Sequence, residues 1–262
     1  MPKKKVFAVE RQLGILDYLE ENNVASVTDL ASYFNVTETT IRRDLLILDK
    51  EKKIIRTHGG ALRMEKNTSF IYPTLNERME LYVEEKKRIA DYVADNLISD
   101  YESLMIDAGS TTYFCAEALA KRFNNLIVVT NTEKVGYVLA NQGQNRVIIT
   151  GGEFVPYTQV QVGNFAEKVL NSFKIDTAII SITGLVPEEG IFTSNPLESH
   201  IKYLMMKNSR RTILLTDSSK IGNRAFCFIS DFSKIDIMIT DNKAQQKDIK
   251  RIESFGVKVI TV

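Results

Sequence analysis

The stretch VTETTIRRDLLIL at positions 36–48 constrains this chain more than any other segment. Ile41, Leu45 and Leu48 recur at helical spacing, which predicts a short helix with one stripe packed on a core. Thr37 is a suitable N-cap, and Glu38 would lie at the positive end of the helix dipole. The other faces carry Thr39, Thr40, Arg42 and Arg43, and these four residues together with Thr37 are the candidates for contact with a DNA groove. Such a surface suits the major groove of DNA, although an ordinary surface helix has a similar composition.

The sequence before this helix predicts two more helices, at 6–21 and 27–34. Ser26 and Asp29 have the spacing of a capping box at the start of the second one. A tight turn at 35–37 separates the second helix from the third. Helix, short turn and helix, with exposed arginine and threonine on the last, is the layout of a helix-turn-helix.

Two short strands are predicted after the third helix, at 53–57 and 61–64, with His58-Gly59-Gly60 as the turn between them. This pattern predicts a small β-wing and is equally compatible with a plain hairpin. Basic side chains in and beside the wing would contact the phosphate backbone or the minor groove of DNA. They are Lys52, Lys53, Arg56, His58 and Arg63.

Net charge alone does not indicate a nucleic-acid partner, because the 262 residues carry only +1. Residues 1–66 hold 12 Lys and Arg against 10 Asp and Glu, and the remainder holds 22 against 23. Acidic residues gather in the first helix, whereas basic residues gather around the third helix and the wing. We therefore expect a polarised small domain with one basic face.

The sequence argues against several other classes of protein. No apolar run approaches the roughly 18 residues of a membrane span, and the lysines at 3–5 precede no apolar segment of a signal peptide. Cys115 and Cys227 are too few for a disulfide scaffold, so we expect buried, reduced thiols in a cytoplasmic protein. The two histidines and two cysteines show no metal-ligand spacing, and we expect neither metal nor cofactor.

Strand-like and helical runs alternate beyond residue 83. Strands are predicted at 104–106, 126–129, 146–149, 177–182, 211–215, 235–239 and 258–261. Helices are predicted at 84–98, 113–122, 133–141, 165–173, 197–207 and 245–254. This alternation indicates an α/β domain built on a mostly parallel sheet.

Small hydroxyl and glycine residues follow five of these strands. The segments are DAGSTT at 107–112, TNT at 130–132, TGG at 150–152, TG at 183–184 and TDSSK at 216–220. Open α/β sheets bind ligands at the carboxyl ends of strands, and the backbone amides at helix starts attract anions. With Lys220 as a phosphate partner, the five segments predict a site for a phosphorylated polyol, although any one of them could be a simple turn. Neither GxxxxGK[ST] nor GxGxxG occurs.

These motifs point to one family. IRRDL at 41–45 and IRTHGGA at 55–61 resemble the N-terminal domain of the DeoR family of bacterial transcription regulators. The segments DAGSTT, TGGE, Glu198-x-x-x-Lys202 and TDSSKIG are similar to successive segments of that family's sensor domain. The resemblance covers residues 6–262.

The resemblance implies a sensor domain related in fold to ribose-5-phosphate isomerase, with a sugar phosphate as effector. It places in the effector pocket Asp107, Gly109, Ser110, Thr111, Thr112, Asn131, Gly152, Thr183, Gly184, Lys202 and Lys220. Tyr101 stands where glycine is common in the family, and Arg78 with EEKKRIA resembles the family's domain junction. Residues 186–196 are predicted as a loop near the pocket mouth.

We therefore expect a winged helix-turn-helix domain at 1–64, a hinge-like linker at 65–82, and a larger α/β effector-sensing and oligomerisation domain at 83–262. The predicted function is sequence-specific repression of a carbohydrate-metabolism operon, controlled by a phosphorylated sugar. The expected partners are double-stranded operator DNA and further copies of the chain, as a dimer or tetramer, and no membrane. We expect no catalysis. The alternatives are a sugar-phosphate isomerase-like enzyme and an N-terminal module that binds another protein.

Overall fold

The computed structural model describes residues 8–22, 24–51, 53–56, 60–63, 74–142 and 144–262. The chain separates into two compact units, Met1–Thr68 and Ser69–Val262. No helix among the described residues is long and apolar enough to cross a membrane.

The first unit contains three helices and a small antiparallel sheet. Its elements are α1 (Ala8–Asn22), β1 (Val24–Ser26), α2 (Val27–Phe34), α3 (Glu38–Lys50), β2 (Ile54–Arg56) and β3 (Gly60–Arg63). The strands are ordered β1-β3-β2. The three predicted helices and the two strands of the wing are confirmed. Strand β1 was not predicted, because its three residues acquire strand geometry only by pairing with β3.

The apolar periodicity of the sequence accounts for the core of this unit. Ile41, Leu45 and Leu48 are fully buried and pack with residues of α1 and α2. The predicted cap of α2 is also present, since the Ser26 hydroxyl accepts a hydrogen bond from the backbone amide of Asp29 at 3.0 Å. The third helix is thus fixed in the unit by its apolar stripe.

The second unit begins, among the described residues, with two helices and continues as alternating strands and helices. Its first half contains α4 (Leu75–Glu80), α5 (Val83–Asn96), β4 (Ser103–Ile106), α6 (Ser110–Arg122), β5 (Ile127–Thr130), α7 (Glu133–Asn141), β6 (Arg146–Ile149), β7 (Glu153–Val155), β8 (Val160–Val162) and α8 (Asn164–Asn171). Its second half contains β9 (Ile175–Ser181), β10 (Gly184–Val186), β11 (Gly190–Thr193), α9 (Pro196–Lys207), β12 (Ser209–Leu215), β13 (Cys227–Ser230), β14 (Ile237–Thr240), α10 (Gln246–Glu253) and β15 (Lys258–Thr261).

A seven-stranded sheet, ordered β15-β14-β12-β9-β4-β5-β6, forms the centre of this unit, and all its pairings are parallel. Alternate strand residues face opposite sides: Leu104 and Ile106 join a cluster with α5, α6 and α7, whereas Met105 joins one with α8, α9 and α10. A parallel sheet covered by helices on both faces confirms the predicted α/β class. All its carboxyl ends lie along one edge.

Residues 186–196 are not the loop that the sequence predicts. Strands β10 and β11 form an antiparallel hairpin, and β11 pairs in turn with β13. Gly190 makes the tight turn possible, because its φ of 116° is accessible to glycine and strained for other residues. Every residue of β11 is buried. The Pro and Gly residues of this segment therefore mark a hairpin within a small sheet.

The described part of the predicted linker at 65–82 contains the helix α4. Thr74 and Glu77 form a reciprocal capping box that starts α4, and Leu75 is buried in the second unit. The Leu75 amide donates to the carbonyl of Tyr157, and Lys134 contacts Asn76. Residues 74–82 are therefore part of the second unit. Residues 65–73 lie outside the described part of the chain.

The two cysteines differ from each other. Cys115 is completely buried, as predicted, and burial raises the pKa of its thiol to about 12. Cys227 is only half-buried, in β13, so the prediction of a buried thiol is wrong there. Both are free thiols.

Candidate functional sites

The start of α3 has the geometry that the sequence predicts. The Thr37 hydroxyl caps the helix by accepting the backbone amide of Thr40 at 3.3 Å, and it lies 3.0 Å from the Thr40 hydroxyl. Thr39, Arg42 and Arg43 are exposed on the outer face. The arginine pair therefore points to solvent, and the two capping threonines are engaged with the helix start.

The two arginines have different surroundings. Arg42 Nη2 lies 2.8 Å from Glu38 Oε2, one turn earlier on the same helix. Arg43 has no ion-pair partner among the described residues. A flat guanidinium with several unused donors can bind a guanine edge or a phosphate.

Asp44, although it belongs to the IRRDL motif, has an internal contact. Its carboxylate accepts from Arg11 Nε at 2.6 Å and from Gln12 at 3.1 Å, and both Asp44 and Arg11 are buried. This ion pair ties α1 to α3. The aspartate in the motif therefore supports the helix and does not face outward.

The remaining basic candidates are only partly described. Lys53 is exposed and lies 2.8 Å from Glu51. Lys52, His58 and the side chains of Arg56 and Arg63 lie outside the described part of the structure. The backbones of β2 and β3 place Arg56 and Arg63 in the wing strands.

A cavity of about 170 Å³ lies at the carboxyl ends of β4, β9 and β12 in the second unit. Its lining residues are Arg78, Leu81, Tyr82, Lys86, Ser110, Ile182, Thr183, Asp217, Ser219 and Lys220. Three residues predicted for the pocket, Ser110, Thr183 and Lys220, thus share one cavity although they follow different strands.

Four cations gather around this cavity. Arg78, Lys86 and Lys220 line it. Lys202 lies close enough that repulsion by Arg78 and Lys220 adds to burial in lowering its pKa. Burial lowers the pKa of each lysine and of Arg78. For Lys86 the pKa falls to about 8, through burial first and then through repulsion by Lys220. An anion would relieve these repulsions.

Lys86 also holds the chain around the cavity. Its Nζ donates to the carbonyl oxygen of Arg78 at 2.5 Å and to that of Leu81 at 2.6 Å. An ammonium has three N–H donors, so one is left over after these two bonds. Tyr82, between α4 and α5, holds the left-handed conformation with φ of 52°. We refer to residues 78–86 as the α4–α5 elbow.

Asp217 is the carboxylate within the cavity lining. Its Oδ2 lies 3.5 Å from Lys220 Nζ, and its Oδ1 accepts from the Ser219 hydroxyl. Burial raises the pKa of Asp217, but Lys220, Ser219 and Lys86 act more strongly in sum and hold it below the ordinary value. Asp217 therefore stays charged and fixes Lys220.

Asp107 and Lys202 form a buried ion pair that is not part of the cavity lining. Asp107 accepts from Lys202 Nζ and, at 3.0 Å, from the backbone amide of Ser181. Both residues are at most 5% exposed. Their contacts join β4, β9 and α9 behind the strand ends.

Several buried polar atoms near the strand ends have no hydrogen-bond partner within the described part of the chain. They include Thr111 Oγ1, Asn131 Oδ1, Glu198 Oε1, Arg78 Nε and, in the cavity lining, Asp217 Oδ2. Burial raises the pKa of the Glu198 carboxyl, although Thr158 and Arg78 act in the opposite direction. Unsatisfied buried groups of this kind are costly unless a ligand meets them.

Other predicted pocket residues have local packing roles. A Cβ at Gly109 would collide with the Ser181 hydroxyl, and one at Gly184 would collide with the Asn223 carbonyl. Thr112 is buried and donates to the carbonyl of Gly109 at 3.1 Å. Gly152 is exposed, with φ of 115°. None of these four residues lines the described cavity.

Sequence reasoning missed Arg78 and Lys86 as cavity residues. Both precede the first strand of the sheet, so no strand-end pattern points to them. The available signal was the junction motif itself, in which Arg78 and the EEKKRIA segment stand together.

A winged helix-turn-helix unit joined to a parallel α/β unit with a cationic cavity defines a class: DNA-binding regulators that carry a sensor domain. Residues 11–67 match the model of the DeoR-like helix-turn-helix domain, and residues 82–242 match that of the DeoR C terminal sensor domain. The chain belongs to the DeoR family of helix-turn-helix transcriptional regulators.

Curated relatives match over almost the whole length. The uncharacterized HTH-type transcriptional regulator YulB of Bacillus subtilis is 34% identical over 98% of both chains. The glycerol-3-phosphate regulon repressor of Escherichia coli is 31% identical over 88% of this chain and 90% of its own. The solved ribose 5-phosphate isomerase A of Neisseria gonorrhoeae is 20% identical, with a TM-score of 0.40 over 53% of this chain and 54% of that one.

Proposed function

We propose that this regulator is a repressor of a carbohydrate-metabolism operon, and that a phosphorylated sugar bound at the strand-end cavity controls its affinity for DNA. The single observation that carries the effector part is the cation cluster. Arg78, Lys86 and Lys220 line one small cavity in which Asp217 is the described carboxylate. A phosphate dianion would neutralise this excess of positive charge.

We propose that buried polar atoms outside the described cavity lining bind the sugar end of the effector. Thr111, Asn131 and Glu198 each offer a buried oxygen without a described partner, and hydroxyl groups of a polyol can donate to all three. Ser110 and Thr183, which line the cavity, would complete the site. Asp107 and Lys202 would act indirectly, by holding β4, β9 and α9 in register.

DNA would be read by the outer face of α3, with Arg42, Arg43 and Thr39 in the major groove and the wing on the phosphate backbone. One such domain makes a small interface, so two or more copies are needed for useful specificity. We therefore propose a homo-oligomer assembled through the second unit. A regulator of operons acts on the chromosome, which places it in the cytoplasm.

The relative named for the glycerol-3-phosphate regulon supports the choice of a phosphorylated effector. A screen of phosphorylated sugars by thermal shift tests it, since a true ligand raises the melting temperature by mass action. Lys220→Ala should abolish the shift and the ligand response while DNA binding persists. Lys207→Ala, at an exposed lysine of α9, is the matched control. Undiminished affinity of Lys220→Ala in calorimetry would refute the assignment.

Arg43→Ala tests the DNA face. Removing one groove-contacting arginine should weaken operator binding by about 1–3 kcal/mol at fixed salt. Arg210→Ala, at an arginine whose side chain is 86% exposed in the second unit, should leave binding unchanged. If Arg42→Ala combined with Arg43→Ala leaves a gel shift unaffected, the first unit binds something other than DNA.

We also propose that the effector is bound without being transformed. Asp107, the acidic residue of the first strand end, is neutralised by Lys202, so it is poorly suited to remove a proton from a sugar carbon. Turnover of a sugar phosphate by pure protein in an isomerase assay would overturn this proposal.

The effector signal would reach the DNA-binding unit through the α4–α5 elbow. This segment supplies Arg78, Leu81, Tyr82 and Lys86 to the cavity, and α4 is the first described element of the second unit. A ligand changes DNA affinity only through different affinities for two arrangements of the protein. The elbow would be held against the cavity when an anion is bound and would be less ordered when the cavity is empty. These two states are the two arrangements that the mechanism requires.

A further inference from the structure

We propose that Glu38 is the specificity-determining positioning residue of α3, because it fixes the Arg42 guanidinium in one orientation towards the bases. The inference rests on the proposed DNA face and adds a role for a residue of opposite charge. It starts from the position of Glu38 in the first turn of α3, beside the exposed threonines and arginines.

The Glu38 carboxylate is held on both sides. Its Oε1 accepts from the Thr28 hydroxyl of α2 at 3.2 Å, and its Oε2 accepts from Arg42 Nη2 at 2.8 Å. The residue therefore connects the second helix, through its own side chain, to an arginine one turn along the third. Two bonds restrict the carboxylate, and the carboxylate in turn restricts the guanidinium.

A carboxylate on this face of α3 lowers the affinity of the protein for DNA. Glu38 is half-buried, with a side-chain exposure of 44%, on a face that would meet a polyanion. The helix dipole favours it by only about 0.3–1 kcal/mol. The carboxylate therefore costs affinity through repulsion from phosphates. Its benefit would be specificity, because a guanidinium held in one orientation matches O6 and N7 of guanine.

Arg42 keeps donors for this purpose. Nη2 contacts Glu38, while the guanidinium carries five N–H groups in total and its side chain is 56% exposed. Arg43, without an ion-pair partner in the described structure, is not oriented in this way. Glu38 therefore distinguishes two adjacent arginines that look equivalent in the sequence.

The test is a selection of duplex DNA from a random library by the full-length protein at fixed salt, followed by affinities for each single-base change in the selected site. Glu38→Gln and Arg42→Lys should lose preference at the same base pair, each by about tenfold. Glu38→Asp keeps the charge but shortens the reach, so it should behave like Glu38→Gln. Asp17→Asn removes an exposed charge from α1 and should keep every preference.

Melting curves confirm that each variant is folded before selection. The proposal is overturned if Glu38→Gln keeps the wild-type base preferences, or if Glu38→Gln and Asp17→Asn tighten binding alike at all sites, which would mean a charge effect alone. It is also overturned if Glu38→Asp behaves as wild type. A wrong assignment of the DNA-binding face would give a different result. Arg42→Ala combined with Arg43→Ala would then bind DNA as well as the wild-type protein does.

Discussion

Tyr101 is held in a backbone conformation that does not suit a tyrosine. Its φ is 64°, in the left-handed region, and the residue is 78% exposed, so the side chain gains little from packing. The left-handed conformation costs residues with a Cβ about 1–2 kcal/mol. Glycine is free of this strain.

We expect Tyr101→Gly to stabilise the protein by about 1 kcal/mol in urea unfolding, after the greater flexibility of glycine in the unfolded chain is deducted. Tyr137→Gly is the matched control, because Tyr137 is 70% exposed but lies inside α7. That variant should lose about 1 kcal/mol or less. Destabilisation by both substitutions would contradict the strain at Tyr101.

Lys86 predicts a pH dependence of anion binding. Its pKa is lowered to about 8, mainly by burial and then by Lys220, with Asp217 acting in the opposite direction. An anion favours the charged form, so the affinity for sulfate, which stays a dianion, should fall by about tenfold between pH 7 and pH 9. Titration calorimetry at several pH values measures this. Lys220 and Lys202 also have lowered pKa values and contribute in the same direction.

Lys86→Met isolates the contribution of Lys86, with Lys87→Met as the control on the exposed side of α5. The Lys86→Met variant should bind sulfate weakly and with a shallower pH dependence than Lys87→Met. The sign for stability is opposite: between pH 8 and the ordinary value of 10.5 the unfolded chain binds more protons at this residue. Its contribution to stability therefore rises with pH over that window. If sulfate affinity depends on pH identically in Lys86→Met and Lys87→Met, Lys86 does not contribute to anion binding.

At the scale of single elements, the buried pair between Arg11 and Asp44 sets the position of α3. Asp44→Ala should destabilise the first unit by about 3–5 kcal/mol, because it removes the buried carboxylate that joins Arg11 and Gln12 of α1 to α3. Arg11→Met combined with Asp44→Leu should cost much less. Urea unfolding followed by circular dichroism compares them. Equal losses would mean that packing, not charge, explains the effect.

The α4–α5 elbow predicts a local response to ligand. Amides of residues 78–86 should exchange hydrogen more slowly when the cavity is filled, by up to about 100-fold at a ligand concentration 100 times Kd. Hydrogen exchange with mass spectrometry measures this, and α10, none of whose residues lines the cavity, is the internal control. If the ligand binds but residues 78–86 exchange as before, the elbow does not carry the signal.

Element prediction succeeded where one periodicity decides the structure. The seven strands of the parallel sheet are apolar runs bounded by turns, and the helices between them carry a stripe at 3.6-residue spacing. It failed at β10 and β11, because a short buried hairpin within a Pro- and Gly-containing segment has the composition of a loop. It also failed at α4, whose six residues depend on the cap at Thr74 and on packing against the second unit.

At the scale of the whole molecule, the candidate site was predictable only in part. Parallel strands bring their carboxyl ends to one edge, so the cavity residues Ser110, Thr183 and Lys220 could be assigned from the strand order. Arg78 and Lys86 enter from before the sheet, and only tertiary packing brings them there. The buried ion pair between Asp107 and Lys202 also depends on tertiary packing, and no sequence pattern indicates it.

The third helix has one further consequence. Ile41, Asp44, Leu45 and Leu48 anchor it, whereas positions 39, 42 and 43 are exposed and Glu38 accepts a hydrogen bond from Thr28 of α2. The residues that would select an operator are therefore separable from the scaffold that displays them. Relatives could diverge in their target genes by substitution at positions 38, 39, 42 and 43. The same substitutions could retarget this regulator without changing the packing of α3 on the core.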